Sequence, residues 1–240
     1  MNFFLDFPLQ SARRRFSYTE GLLSIGSCFS DEIAQKMLQL GWKGEANPLG
    51  VVYNPVSMAK ALSIYRNPEG YSEELFVHKE LWRDWNCHSS LADSEYSVAN
   101  SRRHTAITAG ARAWKSSNIL FLSLGSAFAW RRKQSGSIVA NCHQFPAKEF
   151  QRQLLEIDEM KECLGSELQY FFQERSNATV LVTVSPVRYL RDGLIQSKRS
   201  KARLLELAHQ LSEDFEQVEY FPAYEIVTDQ LREYRFFKED

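Results

Sequence analysis

Leu23-Ser24-Ile25-Gly26-Ser27-Cys28-Phe29-Ser30-Asp31-Glu32-Ile33 sets an apolar run, a glycine and two nucleophilic side chains directly before a helical pattern. Leu22 to Ile25 reads as a short buried strand. Ser27 or Ser30 can cap the next helix, and Asp31 and Glu32 suit its first turn. Ile33, Met37 and Leu40 recur at helical spacing until Gly41 stops the helix.

The strand-then-helix theme returns along the chain. Asn47-Pro48-Leu49-Gly50 is a turn, and Asn54-Pro55 opens a helix to about Tyr65 with Met58, Leu62 and Tyr65 on one face. Asn118 to Leu124 and Ala178 to Val184 are apolar runs of the kind buried on both faces of a parallel sheet. Ser137 to Cys142 reads as a strand, and Ala147 to Arg175 as helical. Ser200 to Phe215 is an amphipathic helix with Leu204, Leu207, Ala208 and Leu211 inside, followed by a short strand over Val218 to Phe221. Strands alternating with helices predict an α/β fold with a mostly parallel central sheet. Residues 66 to 116 fit the pattern poorly and read as an insertion in a single domain, with a helix around Asn100 to Trp114.

In such sheets ligands collect at the carboxyl ends of the strands. Gly26-Ser27-Cys28, Gly125-Ser126 and Ser185-Pro186 all follow directly on strands. If Cys28 sits at a helix N-terminus, the backbone amides and helix dipole favour its thiolate and can hold an oxyanion during acyl transfer. The plain alternative is a small thiol that fits a tight turn. Ser27 competes as nucleophile. His143 follows Asn141 by two residues, so a strand would point both to one face. That makes His143 a candidate base, and His88, in an aromatic stretch, is a second. Lys201 can hold an anionic group or lie in solvent. Tyr220 to Glu225 can line a cleft or close a strand end.

The formal net charge of -1 argues against nucleic acid as the main partner. Arg13-Arg14-Arg15 and Arg131-Arg132-Lys133 are local basic clusters, read as solvated loop or helix faces. No apolar run reaches the length of a membrane span, and the N-terminus lacks the pattern of a signal peptide. The four cysteines, Cys28, Cys87, Cys142 and Cys163, show no disulfide spacing, which fits reduced thiols in a cytoplasmic protein. Cys87-His88 and Cys142-His143 total four possible zinc ligands, but adjacent strand residues face opposite ways. The reading therefore expects no metal, and without a phosphate-binding glycine loop it expects no nucleotide cofactor.

Gly26-Ser27-Cys28-Phe29-Ser30 resembles the motif that names the GSCFA-domain family, with Ser30 in place of the usual Ala. The resemblance continues through Asn47 to Pro55, Leu124 to Ala127, Val139 to His143, Val184 to Arg188 and Tyr220 to Glu225, in the family's order. That family is related to the SGNH hydrolases, so the resemblance implies a three-layer, flavodoxin-like fold. It also implies an esterase or acyltransferase working on a small-molecule or glycan ester, or a binding module on the same scaffold. On this footing Cys28 is the nucleophile, Gly125 supplies an oxyanion-hole amide, and Asn141 supplies an oxyanion-hole side chain. The family's final block, Asp-x-x-His, meets this chain at Asp240, where the sequence stops before a His. The resemblance thus reads the chain as a fragment or as a variant without its usual base. Tyr189 likewise stands where close relatives carry a His.

Overall fold

The computed structural model describes residues 8–9, 11–13 and 15–231, and all of the structure below refers to these. Five strands form one parallel sheet: β1 (Gly21–Gly26), β2 (Lys43–Ala46), β5 (Ser117–Leu124), β9 (Thr179–Val184) and β10 (Val218–Tyr220). Their spatial order is β10-β9-β5-β1-β2, every neighbouring pair running parallel. Ranked by position in the chain, these strands follow the 2-1-3-4-5 order of flavodoxin-like sheets. The fold is α/β, as the alternating pattern predicts.

Alternation along the strands builds the layers. Leu23 and Ile25 of β1, Leu120 and Leu122 of β5, and Val180 and Val182 of β9 share one core. That core is closed by α2 (Pro55–Arg66), α3 (Tyr96–Ser116), α4 (Ile157–Glu174) and α5 (Gly193–Asp214). Leu22, Ile119 and Phe121 point the other way, onto α1 (Cys28–Gln39) through Ala34, Ile33 and Met37. The sheet is therefore the middle of three layers, with four helices on one face and α1 on the other.

Local chemistry sets the boundaries. Asn54 caps α2 by accepting the Ser57 N–H at 2.8 Å, and Pro55 fills the first helical position. Gly41, at φ +95°, ends the α1 segment. Residues 66 to 116 contain a small hairpin, β3 (Phe76–His78) with β4 (Leu81–Arg83), and then α3. The helix runs four residues further toward its N-terminus than the sequence pattern suggests, and it buries Ile107, Ala111 and Trp114.

Two sequence expectations are corrected here. Ser137 to Cys142 is not a strand of the parallel sheet: only β7 (Ile138–Val139) is extended, and it belongs to a separate antiparallel sheet. Ala147 to Arg175 is not helical throughout, because β8 (Phe150–Leu154) precedes α4. With β6 (Phe128–Arg132), these strands form the order β7-β6-β8. Phe128 sits opposite Leu154, and Trp130 opposite Arg152. The two ends of this segment meet where the Leu155 N–H donates to the Ala127 carbonyl at 2.9 Å.

Candidate active site

The strand order reverses between β1 and β5, since the chain leaves β1 toward β2 and returns on the other side. Such a switch point opens a crevice at the carboxyl ends of the two strands. Cys28 follows β1 there, and Gly125 follows β5. A cleft of about 260 Å³ is lined by Ser27, Cys28, Gly125, Ser126 and Ser185, so all three strand ends singled out in the sequence converge on it.

Hydrogen bonds from the loop after β2 fix the cleft's floor. The Gly26 N–H donates to Asn47 Oδ1 at 2.8 Å, and the Val52 N–H donates to the Gly26 carbonyl at 2.9 Å. The Tyr53 carbonyl then accepts both the Gly125 N–H at 3.0 Å and the Ser126 N–H at 2.8 Å. Gly26 is required by close approach: a Cβ there would lie 2.4 Å from the Ser123 carbonyl oxygen. The turn that presents Cys28 is thus clamped from two neighbouring segments.

Cys28 is the first residue of α1 and is exposed. Ser27 is the N-cap by position, but no side chain caps this helix. Ser27 Oγ, buried, pairs with Ser123 Oγ at 3.3 Å, and Ser30 Oγ donates to the Ser27 carbonyl at 2.9 Å. The amides of the first turn have no partner inside a helix. Cys28 therefore carries its sulfur beside uncapped N–H groups at the positive end of α1. The other thiols differ. Burial pushes Cys87 well up, Cys142 up to about 11, and Cys163 up, the last with Glu159 and Glu162 adding to the effect. Burial also raises the Tyr53 hydroxyl beside this cleft, with Cys28 and Tyr189 contributing.

Several expected partners are elsewhere. The Gly125 amide is engaged by Tyr53, so in this geometry it is not an open oxyanion donor. Asn141 gives its Nδ2 to Ser89 at 3.1 Å, while its Oδ1 takes the His143 N–H at 2.8 Å; neighbouring Val139 and Ala140 line the cleft instead. His143 does not share a strand face with Asn141. It sits in a turn at φ +49°, with its side chain buried against Asp84, Arg83 and the Phe76 and Trp85 rings. Its Nε2 lies 2.7 Å from the Asp84 carbonyl, and burial pulls the imidazole down to about 4. His88 lies beside the same group, with Nδ1 at 3.1 Å from Ser90 Oγ. No histidine lines the cleft among the described residues. Asp240 lies outside the described residues. Among the described residues, no group of three or more His, Cys, Asp or Glu side chains is placed to hold a metal ion.

The sequence reading missed the cleft's far wall. Phe128, Trp130 and Arg152 come from the antiparallel sheet, with Tyr53 and Tyr189 facing them from loops. Arg152 stacks 4.1 Å from the Phe128 ring centroid. Tyr220 to Glu225 does not line the cleft; the Tyr220 hydroxyl donates to the Glu225 carboxylate instead. Asn54 also went unnoticed as a site residue. It lines the cleft and gives one Nδ2 hydrogen to Ser57 Oγ at 3.0 Å. A larger open groove of about 700 Å³ runs along α3, away from these strand ends. Two of its cations are paired, Arg103 with Asp84 and Arg112 with Glu45.

Residues 21–240 match the GSCFA family. The chain belongs to the GSCFA family. None of the curated proteins matches this GSCFA chain. Among solved structures it is similar to an acetyl xylan esterase from the rumen bacterium Butyrivibrio proteoclasticus, at 11% identity and a TM-score of 0.41. The match takes in 88% of the GSCFA chain and 57% of the esterase, so the chain spans just over half the length of that structure. No helix among the described residues is long and apolar enough to cross a membrane.

Proposed function

We propose that this chain is an esterase-type acyl hydrolase with Cys28 as its nucleophile. The observation that carries the reading is the exposed Cys28 on the uncapped N-terminus of α1, inside the switch-point cleft. The thiolate attacks the ester carbonyl, a C–S bond forms, and the carbonyl electron pair moves onto oxygen. The Cys28 amide at the helix end holds that oxyanion. Asn54 is the second donor, because its Nδ2 carries a hydrogen beyond the one given to Ser57. Collapse breaks the C–O bond, and the alcohol leaves with a proton from water. Water then attacks the thioester, releasing the carboxylic acid and restoring the thiolate. An acceptor alcohol in place of that water gives acyl transfer by the same steps. The aromatic wall of Phe128, Trp130 and Tyr189 suits an aryl or glycan ester.

The first test is hydrolysis of p-nitrophenyl acetate, with mass spectrometry of the enzyme in the early phase. Wild type is expected to gain one acetyl group on the peptide carrying Cys28. Cys28→Ala is expected to lose both turnover and label. Asn54→Asp keeps the acceptor that caps α2 but removes the donor; kcat is expected to fall about a hundredfold. A second reading is a non-catalytic binding module for a saccharide or acyl ligand. It is favoured by the absence of histidine from the cleft lining among the described residues. Ligand binding by Cys28→Ala and wild type alike, with no acetyl label on either, would select it.

A further inference from the structure

The chain leaves β9 over a stretch whose large apolar side chains face outward. Val187 and Tyr189 are each 42% exposed, Leu190 56%, Leu194 53% and Ile195 77%. The cause is local. The Ser185 hydroxyl takes the Val187 N–H at 3.3 Å, a short 3-10 turn runs over Leu190–Asp192, and α5 starts at Gly193. The buried face of α5 begins only at Ser197 and continues through Ser200, Lys201 and Leu204, so Leu194 and Ile195 stand ahead of the packed part. Lys201 is buried, not solvated, and its Nζ donates to the Gly125 and Ser185 carbonyls at 2.8 and 2.7 Å. Those bonds pin α5 to the ends of β5 and β9 and set its apolar first turn beside the cleft.

Single exposed apolar residues are ordinary, but five within nine positions mark a surface that meets something. Val187 and Tyr189 belong both to this face and to the cleft lining, whereas Leu190, Leu194 and Ile195 line neither the cleft nor the α3 groove. Charge says what the surface meets. Residues 187–199 carry four cations, Arg188, Arg191, Lys198 and Arg199, against one acid, Asp192. Three of the cations sit against neutral groups. Arg191 lies 5.9 Å from the Trp130 ring centroid, Lys198 Nζ donates to the Tyr224 hydroxyl at 2.9 Å, and Arg199 donates to Gln196 Oε1 at 3.0 Å. Apolar side chains amid a surplus of cations match a surface that is apolar inside and anionic outside, which is a bilayer with acidic headgroups. A second copy of the chain matches poorly. A two-fold interface would set this face against itself, cations against cations.

We propose that the face of Val187, Tyr189, Leu190, Leu194 and Ile195 docks on an anionic lipid bilayer, its apolar side chains entering the interface while Lys198 and Arg199 meet the headgroups. Docking turns the mouth of the cleft toward the lipid, because Val187 and Tyr189 are part of both. It depends on the surface around the cleft and not on the chemistry of Cys28.

The test is co-sedimentation of the whole chain with vesicles of phosphatidylcholine and of phosphatidylcholine mixed with phosphatidylserine. Wild type is expected to bind the mixed vesicles, to bind the neutral ones far less, and to lose affinity as salt rises. Leu194→Ser with Ile195→Ser is expected to weaken binding tenfold or more. Lys198→Gln with Arg199→Gln is expected to weaken it by roughly fivefold per charge on the mixed vesicles alone. These positions are exposed, and circular dichroism checks that both variants fold. Failure of wild type to bind the mixed vesicles overturns the proposal. Equal binding to both vesicle types overturns it too, as does binding that survives the Leu194 and Ile195 changes. Size-exclusion chromatography without vesicles gives the rival outcome: a wild-type dimer that those two changes dissociate, with no vesicle binding, assigns the face to a second copy. Turnover of p-nitrophenyl acetate measured alongside keeps the two ideas apart. Vesicle binding without turnover removes the esterase reading alone, and turnover without vesicle binding removes the docking face alone.

Discussion

Gly26 and Cys28 show how little room the turn leaves. A methyl group at residue 26 would press on the Ser123 carbonyl, which is backbone and cannot swing aside. Gly26→Ala is expected to cost on the order of 3 kcal/mol, read by chemical denaturation. For the proposed chemistry the same clamp would serve Cys28, because a nucleophile at a fixed helix end meets amides that need no rearrangement. The Gly26-Ser27-Cys28 turn was legible in the sequence because strand, glycine and helix signals meet there. Asn141 and His143 were not. The short turn at positive φ, with the Asn141 side chain bonded to the His143 amide, redirects both side chains. An Asx-type bond of this kind has the same residue spacing as two neighbours on a strand face.

The helices and parallel strands followed from their patterns, whereas the antiparallel sheet did not. β5 and β9 are continuous apolar runs because the sheet buries both of their faces. β6 and β8 mix aromatic side chains with Arg and Gln, so Arg131-Arg132 read as a basic cluster and Phe150 to Leu154 as helix. Their stability comes from cross-strand pairs more than twenty residues apart, such as Trp130 with Arg152, and such pairing leaves no local period. Because this sheet walls the cleft, Trp130→Ala is expected to raise KM for an aryl ester about tenfold while kcat holds. Steady-state kinetics over a substrate series checks it; an equal fall in kcat would place Trp130 in the chemistry instead.

Two buried bases shape how the entire molecule responds to pH. His143 is held near 4 in the folded chain, below its ordinary value of 6.5, so the unfolded chain binds more protons between those limits. Stability therefore falls as pH drops from 6.5 toward 4, by up to roughly 3 kcal/mol from this group. His143→Gln is expected to flatten that slope in denaturant titrations. Lys201 behaves in the same sense at higher pH: with its amine at about 7 instead of 10.5, stability rises as pH climbs through that interval. Lys201→Met is expected to remove this rise. The three-layer plan was legible from the alternation of strands and helices, but the placement of four helices on one face and α1 on the other depends on which crossovers the strand order uses.

The bond between Ala127 and Leu155 brings the two ends of the β6–β8 segment together. Everything between them leaves the parallel sheet and returns to the same point, while Ser27, Cys28 and Asn54 lie outside that excursion. The Phe128, Trp130 and Arg152 part of the cleft wall thus comes from one continuous segment that leaves and rejoins the sheet at a single point. On the proposed reading, transplanting it between family members is expected to change which ester is preferred while Cys28 and the strand ends stay as they are.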